Sequence, residues 1–226
     1  MKTIKFIGVN RQLLRMVNSR QLAEVVASSL GKPVTGTVQH ARNLRESKGA
    51  AGSPILSAGG RGRHAPSMTY EDAASLICAV LGSEAVQDSV QTVEAMRGLK
   101  ADFQGRHFVH RWQQSEMPPL ELTIQREHDV VRALSCVLRF FAREQEYRRK
   151  LELFTGRDHQ IYSVLEVEYP QHYASLTVGV RNGFWETWTF GRRPHSRNEQ
   201  IRRAREYQLR EISESLRPFS DRVSEG

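Results

Sequence analysis

The chain has 226 residues and a formal net charge of +8, with 39% hydrophobic and 26% charged residues. That balance provides a core and excludes a fibre or a wholly disordered chain, and no run approaches the roughly 18 apolar residues of a membrane span. The excess charge sits in the first third: residues 1–66 hold eleven lysines or arginines against only Glu24 and Glu46, a net of +9.

Residues 67–124 are net −4 and the remainder net +3, and 27 of the 33 basic residues are arginine. A basic segment rich in arginine forks has the electrostatic footprint of a polyanion binder, since the planar guanidinium suits phosphates and guanine edges. Asn10, Arg11 and Gln12 interrupt any hydrophobic stretch near the start, so no signal peptide is expected. Cys78 and Cys136 lie far apart in apolar helical patterns and read as small buried hydrophobes in a reducing compartment.

In chain order, residues 1–18 suggest a short strand at 4–9 or a helix near 11–17. Ser19 is the expected N-cap of a helix over 20–30, with Leu22, Val25, Val26 and Leu30 at helical spacing and Gly31 as its stop. A second helix is expected from about 35 to 47, on Val38, Ala41 and Leu44. From 47 to 66 the periodicity ends in a stretch with five glycines and two prolines, expected as a loop or hairpin with Ile55 and Leu56 tucked down and its tip at 59–62. Thr69 to Asp72 resembles a capping box before a helix ending at Gly82, and Ser83 opens another expected to run to Gly98. Pro118-Pro119 suggests a boundary, with a strand-like 120–124 after it and one long helix over 125–153. The period then changes to 2: strands around 164–169, 173–180 and 184–190, the last two joined at Asn182-Gly183, read as a three-stranded antiparallel meander. A charged helix over about 200–216 closes the chain.

The most specific local pattern is helix, glycine turn, helix over residues 20–47. The second helix displays Thr35, Thr37, Gln39, His40, Arg42, Asn43, Arg45 and Lys48, the methyls, amides and guanidinium forks that a major groove accepts. Arg61, Arg63 and His64 follow on the glycine-rich tip, placed to meet phosphates or a minor groove. Together these residues resemble winged helix-turn-helix DNA-binding proteins of bacteriophage and prophage type, over roughly residues 19–98. In that family the buried anchor of the second helix follows the turn glycine by six residues; here Val38 follows Gly31 by seven. The resemblance implies a winged helix-turn-helix domain over 1–98; the residues beyond it read as a linker over 99–124 and a helix-plus-meander oligomerisation domain over 125–226, so that the whole chain is expected to be α+β. It further implies a sequence-specific binder of double-stranded DNA, a cytoplasmic or nucleoid-bound bacterial regulator. Two copies would face two half-sites, so a homodimer is expected in preference to a ring, with Trp185 and Trp188 at the interface. The alternatives are a DNA-packaging oligomer of small-terminase type and an adaptor without DNA.

Catalysis is not expected. His107 and His110 lack a third ligand, Glu166 and Glu168 read as a solvent-facing edge, and Asp158-His159 lacks a nucleophile. No cofactor, metal, small-molecule ligand or membrane partner is inferred.

Overall fold

The computed structural model describes residues 17–50, 52–58, 67–108, 122–156, 159–169, 172–181, 183–192 and 200–216. The fold is α+β: among these residues, seven α-helices accompany one five-stranded antiparallel sheet. The expectations for residues 1–16, for the tip at 59–66 and for the double proline lie outside the described residues.

The first helix, α1 (Ser19–Leu30), begins one residue earlier than its sequence signal. Asn18, not Ser19, is the N-cap: its side chain accepts from the backbone N–H groups of Arg20 and Gln21, and Gln21 returns a bond to Asn18 N–H. Gly31 closes the helix at φ 62°, where a Cβ would be strained. After a three-residue turn comes α2 (Val34–Glu46), entered through Pro33. Thr35 is therefore inside the helix.

The centre of the molecule is α3 (Tyr70–Gly82), buried on every side from Asp72 to Gly82. Gly82 sits where α3 meets the next helix closely, and a Cβ there would collide with Met96 Cε and Thr92 Cγ2. The single helix expected over 83–98 is instead a short 3-10 turn at Val86–Asp88 followed by α4 (Ser89–Gly98), because the Asp88 side chain ties back to Ala85 N–H before the helix can start.

The sheet is larger than the expected meander. Its order is β1-β4-β3-β2-β5, built from β1 (Ala101–Phe108), β2 (Ile161–Tyr169), β3 (Tyr173–Val180), β4 (Phe184–Phe190) and β5 (Gln200–Arg205). Two additions correct the sequence expectation. The segment taken for a linker contributes β1, which pairs with β4 from Ala101↔Phe190 to Phe108↔Phe184 around a bulge near Gly105, at φ 126°. The start of the expected final helix is β5, which pairs with β2, so that Ala204 lies opposite Leu165 on the inner face and Arg203 opposite Glu166 on the outer. β2 is therefore an interior strand, Glu168 is buried, and Glu166 binds Arg203 at 2.6 Å, not a solvent-facing edge.

The long helix expected over 125–153 is two: α5 (Val130–Ala142) and α6 (Glu144–Thr155), separated at Arg143, whose backbone leaves the helical region at φ −116°, ψ 15°. The last element is α7 (Glu206–Leu216).

One face of the sheet carries Leu165, Val167, Leu176, Val178, Phe184 and Phe190 into a single buried cluster that also contains Leu22, Leu76, Leu134 and Ile212. That cluster runs across the boundaries expected at 98 and 125. α1 packs on α7 and α3 on α5, and Gln208 of α7 donates to the carbonyl of Ser29 in α1 at 2.8 Å. Arg202 of β5 likewise donates to the carbonyl of Leu81 at the end of α3. The open carbonyls at the ends of these two N-terminal helices, both buried, are thus met by side chains from the C-terminal third.

Candidate nucleic-acid interface

α2 buries only Thr37, Ala41 and Leu44, with Val38 half-buried. Thr37, 2% exposed, stands six residues after Gly31, the distance at which the helix-turn-helix pattern places its anchor. Its hydroxyl donates to the carbonyl of Pro33 at 3.1 Å. Thr37 is thus part of the core and is corrected from base reader to packing residue; its small polar side chain concealed it as an anchor.

Two more of the eight expected readers point inward. The amide of Asn43 donates to the carbonyl of Val86 at 2.9 Å and accepts from Gln39 at 3.1 Å, which fastens α2 to the turn before α4. His40 is half-buried, with Nδ1 2.7 Å from Ser89 Oγ, a hydroxyl that also donates to Val86 O. Burial, and then the charge of Arg202, hold the imidazole below its ordinary value of 6.5, so it is neutral at pH 7.

The remaining five, Thr35, Gln39, Arg42, Arg45 and Lys48, are exposed. Thr35, Gln39 and Arg42 follow one another at helical spacing on the outer face. Arg42 meets Glu46 with Nε 3.0 Å from both carboxylate oxygens, and Arg45 donates to Ser19 at 3.2 Å. Exposed ion pairs of this kind contribute only about 0.3–0.5 kcal/mol. Displacing Glu46 from Arg42 would therefore cost little.

Beyond α2 the described part of the expected wing forms a turn, not a strand ladder. Lys48 and Pro54 make one isolated bridge, and the N–H groups of Ile55 and Leu56 both donate to the carbonyl of Leu44, closing the end of α2. Ile55 and Leu56 are buried, as expected. Asp72 then holds both flanks of the basic tip: its carboxylate accepts from the N–H and hydroxyl of Ser57 and from the N–H and hydroxyl of Thr69, at 2.8–2.9 Å. Ser57 and Thr69 thus meet on one buried side chain. Arg61, Arg63 and His64 themselves lie outside the described residues.

At the far side of the molecule the two tryptophans part company. Trp188 points inward and is 5% exposed, so it is corrected out of any interface. Trp185 lies on the outer face, half-buried and stacked on His107 at 5.4 Å between ring centroids. Gly179 opposite makes room for it, because a Cβ there would meet Trp185 Cβ at 2.6 Å. The two thiols lack nucleophile character: burial pushes Cys78 up to about 12, and burial likewise raises Cys136. Among the described residues no group of His, Cys, Asp and Glu could hold a metal, and no helix is long and apolar enough to cross a membrane. The sequence matches no family model, and neither a curated protein nor a solved structure matches the chain.

Proposed function

We propose that this chain binds double-stranded DNA through the outer face of α2, with Arg61 and Arg63 contributing backbone contacts, and that it acts as a sequence-specific regulator of phage or prophage type. The observation that carries this is the split of α2. Its inner residues are fastened to α1, α3 and the turn at 86–89, while Thr35, Gln39, Arg42, Arg45 and Lys48 are left outward on a rigid support. Rigid presentation of mixed amide and guanidinium groups is what groove readout requires. The buried Thr37, six residues beyond Gly31, adds the packing step that helix-turn-helix pairs use. A symmetric dimer through the outer sheet face around Trp185 would supply the second head.

The test is fluorescence anisotropy of the full chain on random and genomic duplexes at several salt concentrations, followed by sequencing of bound fragments. Affinity should fall steeply with salt, by a log–log slope of about 0.9 for each phosphate contacted, and bound fragments should share a motif with two-fold symmetry. Binding that ignores salt, or fragments without a motif, would overturn sequence-specific recognition. A ring-sized mass in solution would favour the packaging alternative.

A further inference from the structure

The inner face of the sheet is covered unevenly. α3 and α7 lie over β2 and β5, and α5 over β3. At the other margin β4 and β1 face the stretch 122–127, with a cavity of about 520 Å³ between them. That is within the roughly 300–1,000 Å³ of small-molecule sites.

Its walls combine apolar side chains with charged ones, Arg106 and Glu186 on the strands and Arg126 and Glu127 on the facing stretch. Phe103, 44% exposed, and Trp188 tilt together with ring centroids 5.5 Å apart, and Leu122 and Ile124 line the cavity from the facing stretch. Between them stands Glu186, on a β4 position flanked by Phe184 and Trp188 and itself only 5% exposed. A hydrophobic residue at such an inward position would avoid the cost of desolvating a carboxylate. Arg106, on the neighbouring strand, is its partner. Nε and Nη2 both donate to the same oxygen, Oε1, the former at 2.6 Å, while the guanidinium lies over the ring of Phe184 at 5.3 Å. Among the described residues, Oε2 of Glu186 and Nη1 of Arg106 make no hydrogen bond. The pair thus offers the cavity an unused anionic acceptor beside an unused cationic donor.

We propose that this cavity binds the guanine ring of a nucleotide. Of the common bases, guanine alone presents two adjacent donors, N1–H and the 2-amino group, next to one acceptor, O6. The two donors, side by side on the ring, can converge on the unused Oε2 of Glu186, and O6 suits Nη1 of Arg106. Phe103, the exposed ring of the pair, gives one face of the base a surface on which to stack, with Trp188 beside it. Adenine and cytosine each offer the carboxylate one donor only. This binding is independent of the duplex-DNA function of α2, and its test uses no duplex.

Isothermal titration of the full chain with guanosine, inosine, adenosine and cytidine monophosphates separates the possibilities. A thymidine oligonucleotide carrying one guanine distinguishes a free nucleotide from a base presented on a strand. Guanosine monophosphate or the oligonucleotide should bind saturably, and inosine monophosphate, which lacks the 2-amino donor to the carboxylate, about tenfold more weakly than guanosine monophosphate. Glu186→Gln should abolish the preference for guanine. Phe103→Ala, at a half-exposed ring, should weaken binding while leaving the circular dichroism spectrum unchanged, which guards against a Glu186 variant that fails to fold. Absence of binding at millimolar ligand, equal affinity for all four nucleotides, or unchanged affinity in both variants would overturn the proposal.

Discussion

α2 and α3 are both thirteen residues long, pack against each other, and do opposite things. α3 has no solvent face over eleven consecutive residues, so its sequence is nearly all apolar, with Asp72 as its one buried charge. α2 buries three residues and spends its polar side chains in two directions, inward to hold position and outward to the solvent. A polar residue on α2 therefore cannot be assigned a role by its type; only the side it faces decides. The lesson is general for helices read as recognition elements: the amides that look most suited to bases are also the ones most suited to fastening the helix.

The comparison is sharpest in stability. Leu76→Ala in α3 should cost about 2–5 kcal/mol, whereas Arg42→Ala on α2 should change it by no more than about 0.5 kcal/mol. Urea titration of both variants checks this, and similar losses would mean that α2 is not the presented helix. Next in size, Asp72→Ala removes four bonds, one of them the return bond of the capping box, for an expected loss of about 2–4 kcal/mol. Hydrogen exchange should quicken at the amides of Ser57 and Thr69 before it does in α5, and uniform quickening would argue that the carboxylate holds the whole core.

Asn43→Ala should cost about 1 kcal/mol of stability, through the lost bond to Val86, and leave sequence preference on a cognate duplex intact. Arg42→Ala should do the reverse, weakening the cognate site by about 1–3 kcal/mol. Measured side by side, exchanged outcomes would exchange the two roles. The smallest effect is the titration of His40. Its folded pKa is depressed, so its neutral form contributes stability that is complete above pH 6.5 and is lost as pH falls from there through the folded value. His40→Gln should flatten that part of the stability–pH curve, and a curve unchanged by the substitution would place the titration elsewhere.

Much of this architecture was legible in the sequence. Gly31, the Thr69–Asp72 cap and the alternation over 173–180 are local signals, and local physics alone settles them. What escaped depended on distant partners. β1 and β5 carry Arg106, Arg202 and Arg203 at positions that look solvated or helical until Glu186, Leu81 O and Glu166 are brought opposite. The inward turn of Asn43 escaped for the same reason, because the carbonyl of Val86 that receives it lies 43 residues away. The cavity had no sequence signature, since its walls come from 101–106, 122–127 and 186–188.

The pairing of β1 with β4 also bears on how the chain is made. Arg106 and Glu186 are 80 residues apart, and Gln208 meets Ser29 across 179. At 5–20 residues per second, a ribosome takes about 4–16 s to add the 80 residues separating that ion pair. Through that interval α1 and α3 are complete in sequence but lack the strand and helix that finish their inner surfaces. Nucleation must then wait for non-local contacts, a topology associated with slow folding. A nascent chain stopped near residue 98 displays the apolar sides of α1 and α3 to whatever binds them first. The half that carries the proposed DNA contacts is therefore a client of its own C-terminus, and a gene truncated after α4 should yield aggregate or chaperone-bound product, not a small free-standing binder.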